Sequence, residues 1–247
     1  MPFTAKSGKF NASINTVTVG TGDKAIKLGG ECALPLYSFD AAFENAPKVG
    51  IEITDFGMEN EPECVKKYYE GCESLAEIAK KAASFEGVDF LGFRMEGGDP
   101  NGANKSTEEL IAQLKEVVEA VDLPLVICGS KNVEKDAELL AKAAEAVQGK
   151  NALILAAKEE NYKTVGAAAG LAYDQIVGAE SSVDINLAKQ LNVLLGQLGV
   201  KAASTVMNVG AAAAGYGYEY VASTMQRIKA AALSQNDAQL QMPIITP

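Results

Sequence analysis

The sequence predicts an α/β fold of the (β/α)8-barrel type, and three observations lead to that prediction. Seven short apolar runs alternate with segments of helical periodicity along most of the 247 residues. The apolar runs are mostly continuous, which is typical of parallel strands buried on both faces. Polar loops follow the carboxyl ends of these strands, where barrel proteins carry their sites. A doubly wound sheet is the alternative, but no Gly-x-Gly-x-x-Gly follows the first long strand, which disfavours a dinucleotide-binding version.

The elements follow from this alternation. Two β-prone runs, 13–19 and 25–28, flank Gly20-Thr21-Gly22-Asp23 and predict an N-terminal β-hairpin that covers one end of the core. The apolar runs predict strands at 48–54, 88–95, 124–128, 152–156, 175–179, 202–209 and 242–246. The segments of helical period predict helices at 63–84, 107–121, 133–147, 162–173, 184–198 and 218–233.

These elements predict a hairpin and lead-in over residues 1–46 and a single barrel domain over residues 47–247. The seventh strand is the last one in the sequence, whereas a TIM barrel has eight. We therefore expect a TIM-type barrel that lacks its last strand–helix unit.

The composition excludes several classes of function. A net charge of −10 without a basic stripe argues against nucleic-acid binding. No apolar run reaches the roughly 18–20 residues that span a membrane, and the first residues have no apolar core typical of a secretory signal, so we expect a cytoplasmic protein. Histidine is absent, which excludes a Ser-His-Asp hydrolase, a His-ligated zinc site and a corrinoid held by a histidine of this chain. The four cysteines form no Cys-x-x-Cys pair, so we expect no metal cluster built from this chain alone.

The loop after the second long strand is the first candidate for a binding site. Residues 96–106 combine Gly, Asp, Pro and Asn between an apolar run and a helix start, with Ser106 placed to cap the helix. Such residues let a backbone approach a ligand closely. The same composition also makes an ordinary turn.

The loops after the other strands offer further polar or small residues, each with a structural alternative. Asn161 and Asp184 could simply cap helices, and the tyrosines after the alanine run 211–214 could pack between helices. A Schiff-base aldolase needs a lysine near the end of a strand in the barrel mouth, and Lys131 and Lys158 are the nearest lysines to such a position. A hydrolase that uses two carboxylates could draw on Asp55, Glu96, Asp99 and Glu180, but their spacing favours no particular pair.

Six motifs, taken in order and spacing, give the chain a family resemblance. They are Gly30-Glu31-Cys32-Ala33-Leu34-Pro35, Gly97-Gly98-Asp99-Pro100-Asn101-Gly102-Ala103-Asn104, Glu160-Asn161-Tyr162-Lys163, Asp184-Ile185-Asn186 with Lys189-Gln190-Leu191-Asn192, Gly215-Tyr216-Gly217-Tyr218-Glu219-Tyr220, and Met242-Pro243-Ile244. From about Gly29 to Pro247 the chain resembles the small subunit of the corrinoid iron–sulfur protein. The delta subunit of the acetyl-CoA decarbonylase/synthase complex belongs to the same family.

The resemblance implies a non-catalytic TIM-barrel subunit of an anaerobic acetyl-CoA pathway. Such a subunit pairs with a large (gamma) subunit, which carries the iron–sulfur cluster and a corrinoid-binding domain. The corrinoid (cobamide) lies between that domain and the mouth of the small-subunit barrel. The pair carries a methyl group between a methyltetrahydrofolate or tetrahydropterin methyltransferase and acetyl-CoA synthase.

Carried onto this sequence, the resemblance implies that the loops after strands two, four, five and six face the corrinoid. The implied contact residues are Asp99, Asn101, Asn104, Asn161, Tyr162, Asp184, Asn186, Asn208, Ala212, Gly215 and Tyr216. Three departures from the family pattern are Glu96 in place of Asp, alanines at 211–214 in place of glycines, and the missing eighth strand. The alternatives are a pterin-dependent corrinoid methyltransferase, with Asp184, Asn186 and Asn161 on the pterin, and an aldolase-like enzyme that uses Lys158.

Overall fold

The structure is a computed structural model and describes residues 8–34 and 40–247. Pro35, which ends the first of the six family motifs, lies outside the described residues, as do residues 36–39 of the predicted lead-in to the first long strand.

The N-terminal hairpin forms as predicted. Strand β1 (Val17–Val19) pairs antiparallel with β2 (Ile26–Leu28). Gly20 joins this hairpin to the barrel, since its N–H donates to the carbonyl of Asn151 at 2.8 Å and a Cβ there would lie 2.8 Å from Pro124 Cγ. Both contacts are with residues that precede strands of the barrel, so the hairpin covers the amino-terminal end of the sheet.

The main sheet has seven parallel strands that follow one another in chain order. They are β3 (Gly50–Thr54), β4 (Phe90–Arg94), β5 (Leu125–Cys128), β6 (Leu153–Ala157), β7 (Ile176–Glu180), β8 (Thr205–Asn208) and β9 (Ile244–Ile245). The sheet curls into a TIM-like half-barrel surrounded by helices, which confirms the predicted fold class. A doubly wound sheet would reverse its strand order, and this sheet does not. Within the described residues, β3 and β9 each pair on one side only.

Seven α-helices accompany the sheet within residues 8–34 and 40–247. They are α1 (Glu63–Lys66), α2 (Leu75–Ala83), α3 (Thr107–Ala120), α4 (Val133–Ala146), α5 (Tyr162–Val165), α6 (Ile185–Leu198) and α7 (Tyr218–Ser234). No described helix is both long enough and apolar enough to cross a membrane.

Three predicted elements are wrong in detail. The helix predicted at 63–84 is broken, because Gly71 adopts a φ of +84° and α2 starts afresh at a capping box between Ser74 and Glu77. The segment predicted at 162–173 is α-helical only in α5 and continues as a π-helix over Gly166–Ala172. The run 202–209 begins as a 3-10 turn, so β8 starts at Thr205.

The two faces of the sheet carry different side chains. Phe93 and Ile127 pack outward against the helices. On the inner face Val126 and Leu153 join a separate apolar cluster with Val17 of the hairpin. The hairpin therefore fills the amino-terminal part of the barrel interior, and the carboxyl-terminal part is left for polar side chains.

Candidate functional site

A cavity of about 580 Å³ opens at the carboxyl ends of the strands. This is the end of a barrel at which enzymes and binding proteins of this architecture place their sites. The polar side chains that line it include Arg94, Lys131, Asp136, Lys158, Glu180 and Asn208, with Ser182 and Tyr220 beside them. The apolar part of its wall is formed by Leu155, Ala156, Val183, Val209, Ala212 and Val221.

Arg94 at the end of β4 is held by Glu52 of the neighbouring strand. Nε and Nη2 of Arg94 each donate to one carboxylate oxygen of Glu52 at 2.7 Å, which is a bidentate pair. Burial disfavours the guanidinium charge, but hydrogen bonding to Glu52 and nearby negative charge outweigh it, and the pKa of Arg94 is raised. Arg94 therefore remains a fixed cation in the cavity wall.

Cys128 lies beside this pair as the register partner of Arg94 on β5. Its thiol donates to Glu52 Oε2 at 3.7 Å. Burial raises the pKa of Cys128 to about 12, and the favourable charge of Arg94 only partly opposes that effect. The thiol is therefore neutral at physiological pH and is a structural part of the wall.

A second ion pair lies across the ends of β6, β7 and β8. Lys158 Nζ is 3.3 Å from Glu180 Oε1, and the side-chain amide of Asn208 donates to Glu180 Oε2 at 3.3 Å. Asn208 is only 3% exposed, and its Oδ1 accepts from the N–H of Gly210 at 2.9 Å. These bonds fix the amide of Asn208 and the start of the loop that follows β8.

The loop after β5 is organised around the buried carboxylate of Asp136. This carboxylate accepts from the N–H and hydroxyl of Ser130 at 2.6 and 2.7 Å and from the N–H of Lys131 at 3.1 Å. Gly129 makes room for it, since a Cβ at that residue would lie 2.5 Å from the carboxylate. Burial raises the pKa of Asp136, against the opposing effect of these hydrogen bonds. Lys131 is thereby held with a φ of +75° on the cavity wall.

The rim at the end of β7 has an unusual backbone. Ser182 and Val183 have φ values of +44° and +54°, a region that β-branched residues rarely adopt. The N–H of Val183 donates to the carbonyl of Val209 at 2.9 Å, and the hydroxyl of Thr224 donates to the carbonyl of Val183 at 3.1 Å. The side chain of Val183 is 46% exposed, so these bonds hold an apolar group at the mouth of the cavity.

The loop 96–106 lies outside the cavity wall. Asp99 Oδ1 accepts from the N–H and side-chain amide of Asn101 at 2.9 and 3.1 Å, which makes a self-contained turn. Asn104 is exposed, with a φ of +50°. The predicted cap is present, since Ser106 Oγ accepts from the N–H of Glu109 at 3.1 Å.

The predicted residues of the loops after β6 and β7 hold the protein's own backbone. Asn161 is buried, and its Oδ1 accepts from the N–H of Lys158 at 2.8 Å. Tyr162 packs in the helical layer. Asp184 caps α6 by accepting from the N–H groups of Asn186 and Leu187 at 2.8 and 3.1 Å, and Asn186 is exposed.

The predicted residues of the loop after β8 divide between the wall and the solvent. Asn208 and Ala212 line the cavity. Gly215 is exposed, and Tyr216 is 88% exposed. Of the residues that the resemblance implied, the structure thus brings Asn208 and Ala212 together in the cavity wall.

Glu52 and Arg94 were not predicted from the sequence, whereas Lys158 was named as a Schiff-base candidate and Glu180 as one of four carboxylates without a preferred pair. All four are charged residues within apolar strands or at their carboxyl ends. Charged residues are rarely buried unless they are paired, so their positions in such strands were the available signal.

The chain matches the family described as CO dehydrogenase/acetyl-CoA synthase delta subunit over residues 16–247. Among curated proteins, the acetyl-CoA decarbonylase/synthase complex subunit delta 1 of Methanosarcina thermophila is 35% identical over 88% of this chain and 50% of the relative. The delta subunit of Methanothermobacter thermautotrophicus is 34% identical over 95% of this chain and 60% of the relative. The chain therefore spans about half the length of the curated relatives that it matches.

Among solved structures, a putative phosphonomutase from Burkholderia cenocepacia J2315 is similar at a TM-score of 0.40 and 16% identity, covering 69% of this chain and 74% of that chain. A likeness this low supports no argument about function. The family match, by contrast, takes in all seven strands of the barrel and every residue of the cavity wall. The chain belongs to the CO dehydrogenase/acetyl-CoA synthase delta subunit family.

Proposed function

We propose that this chain is the corrinoid-covering subunit of a methyl carrier in an acetyl-CoA decarbonylase/synthase system. Its barrel mouth covers a cobamide that a large (gamma) subunit holds. The observation that supports the proposal most strongly is the small, apolar rim formed by Ala211 and Ala212 next to the fixed amide of Asn208. Family membership supports it, since the relatives are named as delta subunits of that complex.

The residues at the mouth fit such a group. A corrinoid is a broad ring with apolar edges and carboxamide substituents. Val183, Ala211 and Ala212 offer it an apolar surface without long side chains. Asn208 is an amide, which can both donate to and accept from a carboxamide. No group of His, Cys, Asp and Glu suited to a metal ion occurs within the described ranges.

The corrinoid, when bound, supplies the cobalt that carries the methyl group. The apolar rim of this chain excludes water from the covered face, and the hydrogen bonds of Asn208 hold its amide in one orientation. The strained backbone at Ser182 and Val183 places the adjoining part of the rim, where the N–H of Val183 donates to the carbonyl of Val209. The chain itself then has no catalytic residue, and its contribution is binding and access.

The proposal includes partners that meet the same surface in turn. They are the large subunit with its iron–sulfur cluster, a methyltetrahydrofolate or tetrahydropterin methyltransferase, and acetyl-CoA synthase.

The pterin-dependent methyltransferase alternative has less support. Asp184 caps α6 and Asn161 bonds to the backbone of Lys158, so neither is a cavity-lining side chain available to a pterin.

Coexpression of the full protein with a large subunit and cobamide tests the proposal. We expect the two chains to copurify with a cobamide, visible in the absorbance spectrum. Ala212→Glu places a charge on the rim and should reduce cobamide retention. Ala103→Glu, in the exposed loop outside the cavity, is the matched control and should not. A chain that never copurifies with large subunit or cobamide overturns the proposal, as does an Ala212→Glu variant that retains cobamide fully.

A further inference from the structure

The charged groups on the cavity wall suggest a ligand of their own, below the rim. Three cationic side chains, Arg94, Lys131 and Lys158, line the cavity with two carboxylates, Asp136 and Glu180. Glu52, which pairs with Arg94, brings the carboxylates to three, so the charges of this region balance. The hydrogen-bonding capacity that these groups leave unused therefore decides which ligand fits.

Both carboxylates on the wall already have partners. Glu180 Oε1 lies 3.3 Å from Lys158 Nζ, and Oε2 accepts from Asn208 at 3.3 Å. Asp136 has donors on both oxygens from the Ser130–Lys131 turn. Both carboxylates of the wall therefore have their partners within the protein.

The cations, in contrast, keep unused donors. A guanidinium presents five N–H groups and an ammonium three. Nε and Nη2 of Arg94 donate to Glu52, so Nη1 remains available as a donor to a ligand. Lys158 has one charged contact, with Glu180. The ammonium of Lys131 has no partner within residues 8–34 and 40–247. A wall with spare donors and occupied acceptors favours an anion.

Hydrogen bonds fix the backbone from which both lysine side chains extend. Lys131 is held with a φ of +75° by its N–H bond to Asp136. Such a conformation costs energy and persists where surrounding contacts impose it. The N–H of Lys158 donates at 2.8 Å to Asn161, which is 4% exposed. The two side chains therefore start from fixed positions at the cavity wall.

The remaining wall is apolar and identifies the kind of anion. Val183, Ala211 and Ala212 present accessible apolar side chains to the same space, and its volume of about 580 Å³ lies in the range typical of small-molecule pockets. A bare inorganic anion would leave this apolar surface in water, whereas a hydrocarbon part would cover it. We propose that the cavity binds a small organic carboxylate, with its carboxylate among Arg94, Lys131 and Lys158 and its apolar part against Val183 and Ala212.

The test measures binding to the full protein without cobamide or partner, so its result is separate from that of the corrinoid proposal. Acetate, butyrate and benzoate are compared by calorimetry with their amides, acetamide, butyramide and benzamide, and with inorganic phosphate. We expect at least one carboxylate to bind at least tenfold more tightly than its amide and than phosphate. No such preference, or equal binding of phosphate, overturns the proposal.

Variants locate the site. Lys131→Gln should weaken the best carboxylate about tenfold, the effect of one lost hydrogen bond to a charged group. Lys142→Gln removes an exposed ammonium from the outer face of α4 and should leave affinity unchanged. Lys131 is exposed and its side chain has no described partner, so the Gln variant should keep the native thermal midpoint. Unchanged binding by a folded Lys131→Gln variant places the carboxylate elsewhere and overturns the assignment.

Discussion

The contact between Asp55 and Lys105 should be the strongest single electrostatic support of the loop that follows β4. Asp55 is 3% exposed and accepts from the N–H of Gly97 at 2.9 Å. Lys105 Nζ lies 2.9 Å from Asp55 Oδ2, donates to the main-chain carbonyl of Asp55 at 3.1 Å and lies 4.5 Å from the ring of Phe56. Replacing Lys105 with Met keeps most of the aliphatic stem but leaves a buried carboxylate without its cation.

The expected cost follows from that burial. Breaking a buried ion pair by removing one partner costs about 3–5 kcal/mol, and the Lys105 side chain is 18% exposed, so we expect about 3 kcal/mol, the lower end of the range. For a chain of this length that is a fall in Tm of roughly 6–12 °C. Urea unfolding followed by circular dichroism measures the free energy of unfolding directly.

A matched control separates this effect from the loss of any lysine. Lys66 pairs with Glu63 at 3.0 Å on the surface, where the Glu63 side chain is 85% exposed, so Lys66→Met should cost less than about 1 kcal/mol. The double variant Asp55→Asn/Lys105→Met, which removes the charge as well, should recover part of the loss. Equal costs for Lys105→Met and Lys66→Met would refute the reasoning.

Three further predictions concern other parts of the barrel. Gly97→Ala should destabilise the fold by about 1–3 kcal/mol, because its Cβ would lie 2.2 Å from Asp55 Oδ2 and 2.8 Å from Lys105 Cδ; urea unfolding measures it, and an unchanged midpoint contradicts it. Cys128, with its pKa raised to about 12 by burial, should resist alkylation at pH 8 in the folded protein while the exposed Cys64 reacts; mass spectrometry of the labelled peptides decides. Burial lowers the pKa of Lys229 below its ordinary 10.5 despite the charge of Glu31. The unfolded chain then binds more protons in the window just below pH 10.5, so stability from this group should rise with pH there. Lys229→Met should remove that slope in urea unfolding.

The order of strands and helices could be predicted because burial gives strands continuous apolar runs and gives helices a helical period of apolar residues, and both patterns are visible in neighbouring residues. The prediction was wrong where a single residue interrupts such a pattern. Gly71, with its φ of +84°, interrupts a segment that otherwise has a helical pattern from residue 63 to 84. Gly166 and Gly170 stand where a Cβ would lie 2.8 and 2.9 Å from Leu195 and Val200, a tertiary contact that no local pattern contains.

The candidate site was harder to predict, because a cavity depends on which way side chains at the strand ends point. Asn208 and Ala212 were identified from their loop and line the cavity. Asp99 was identified in the same way but bonds within its own turn. Arg94, at the end of an apolar strand, faces the interior because strand residues alternate and Phe93 faces the helices. That alternation could have identified Arg94, whereas its pairing with Glu52 required the register of β3 and β4.

Amide hydrogen exchange on the complex of the full protein with its large subunit, with and without cobamide, shows whether the barrel mouth covers the corrinoid. We expect cobamide loading to protect the amides of residues 209–217, at the cavity rim, and to leave the turn at residues 99–104 unchanged. Protection confined to residues 99–104, or no change at the rim in a complex that has bound cobamide, would contradict it.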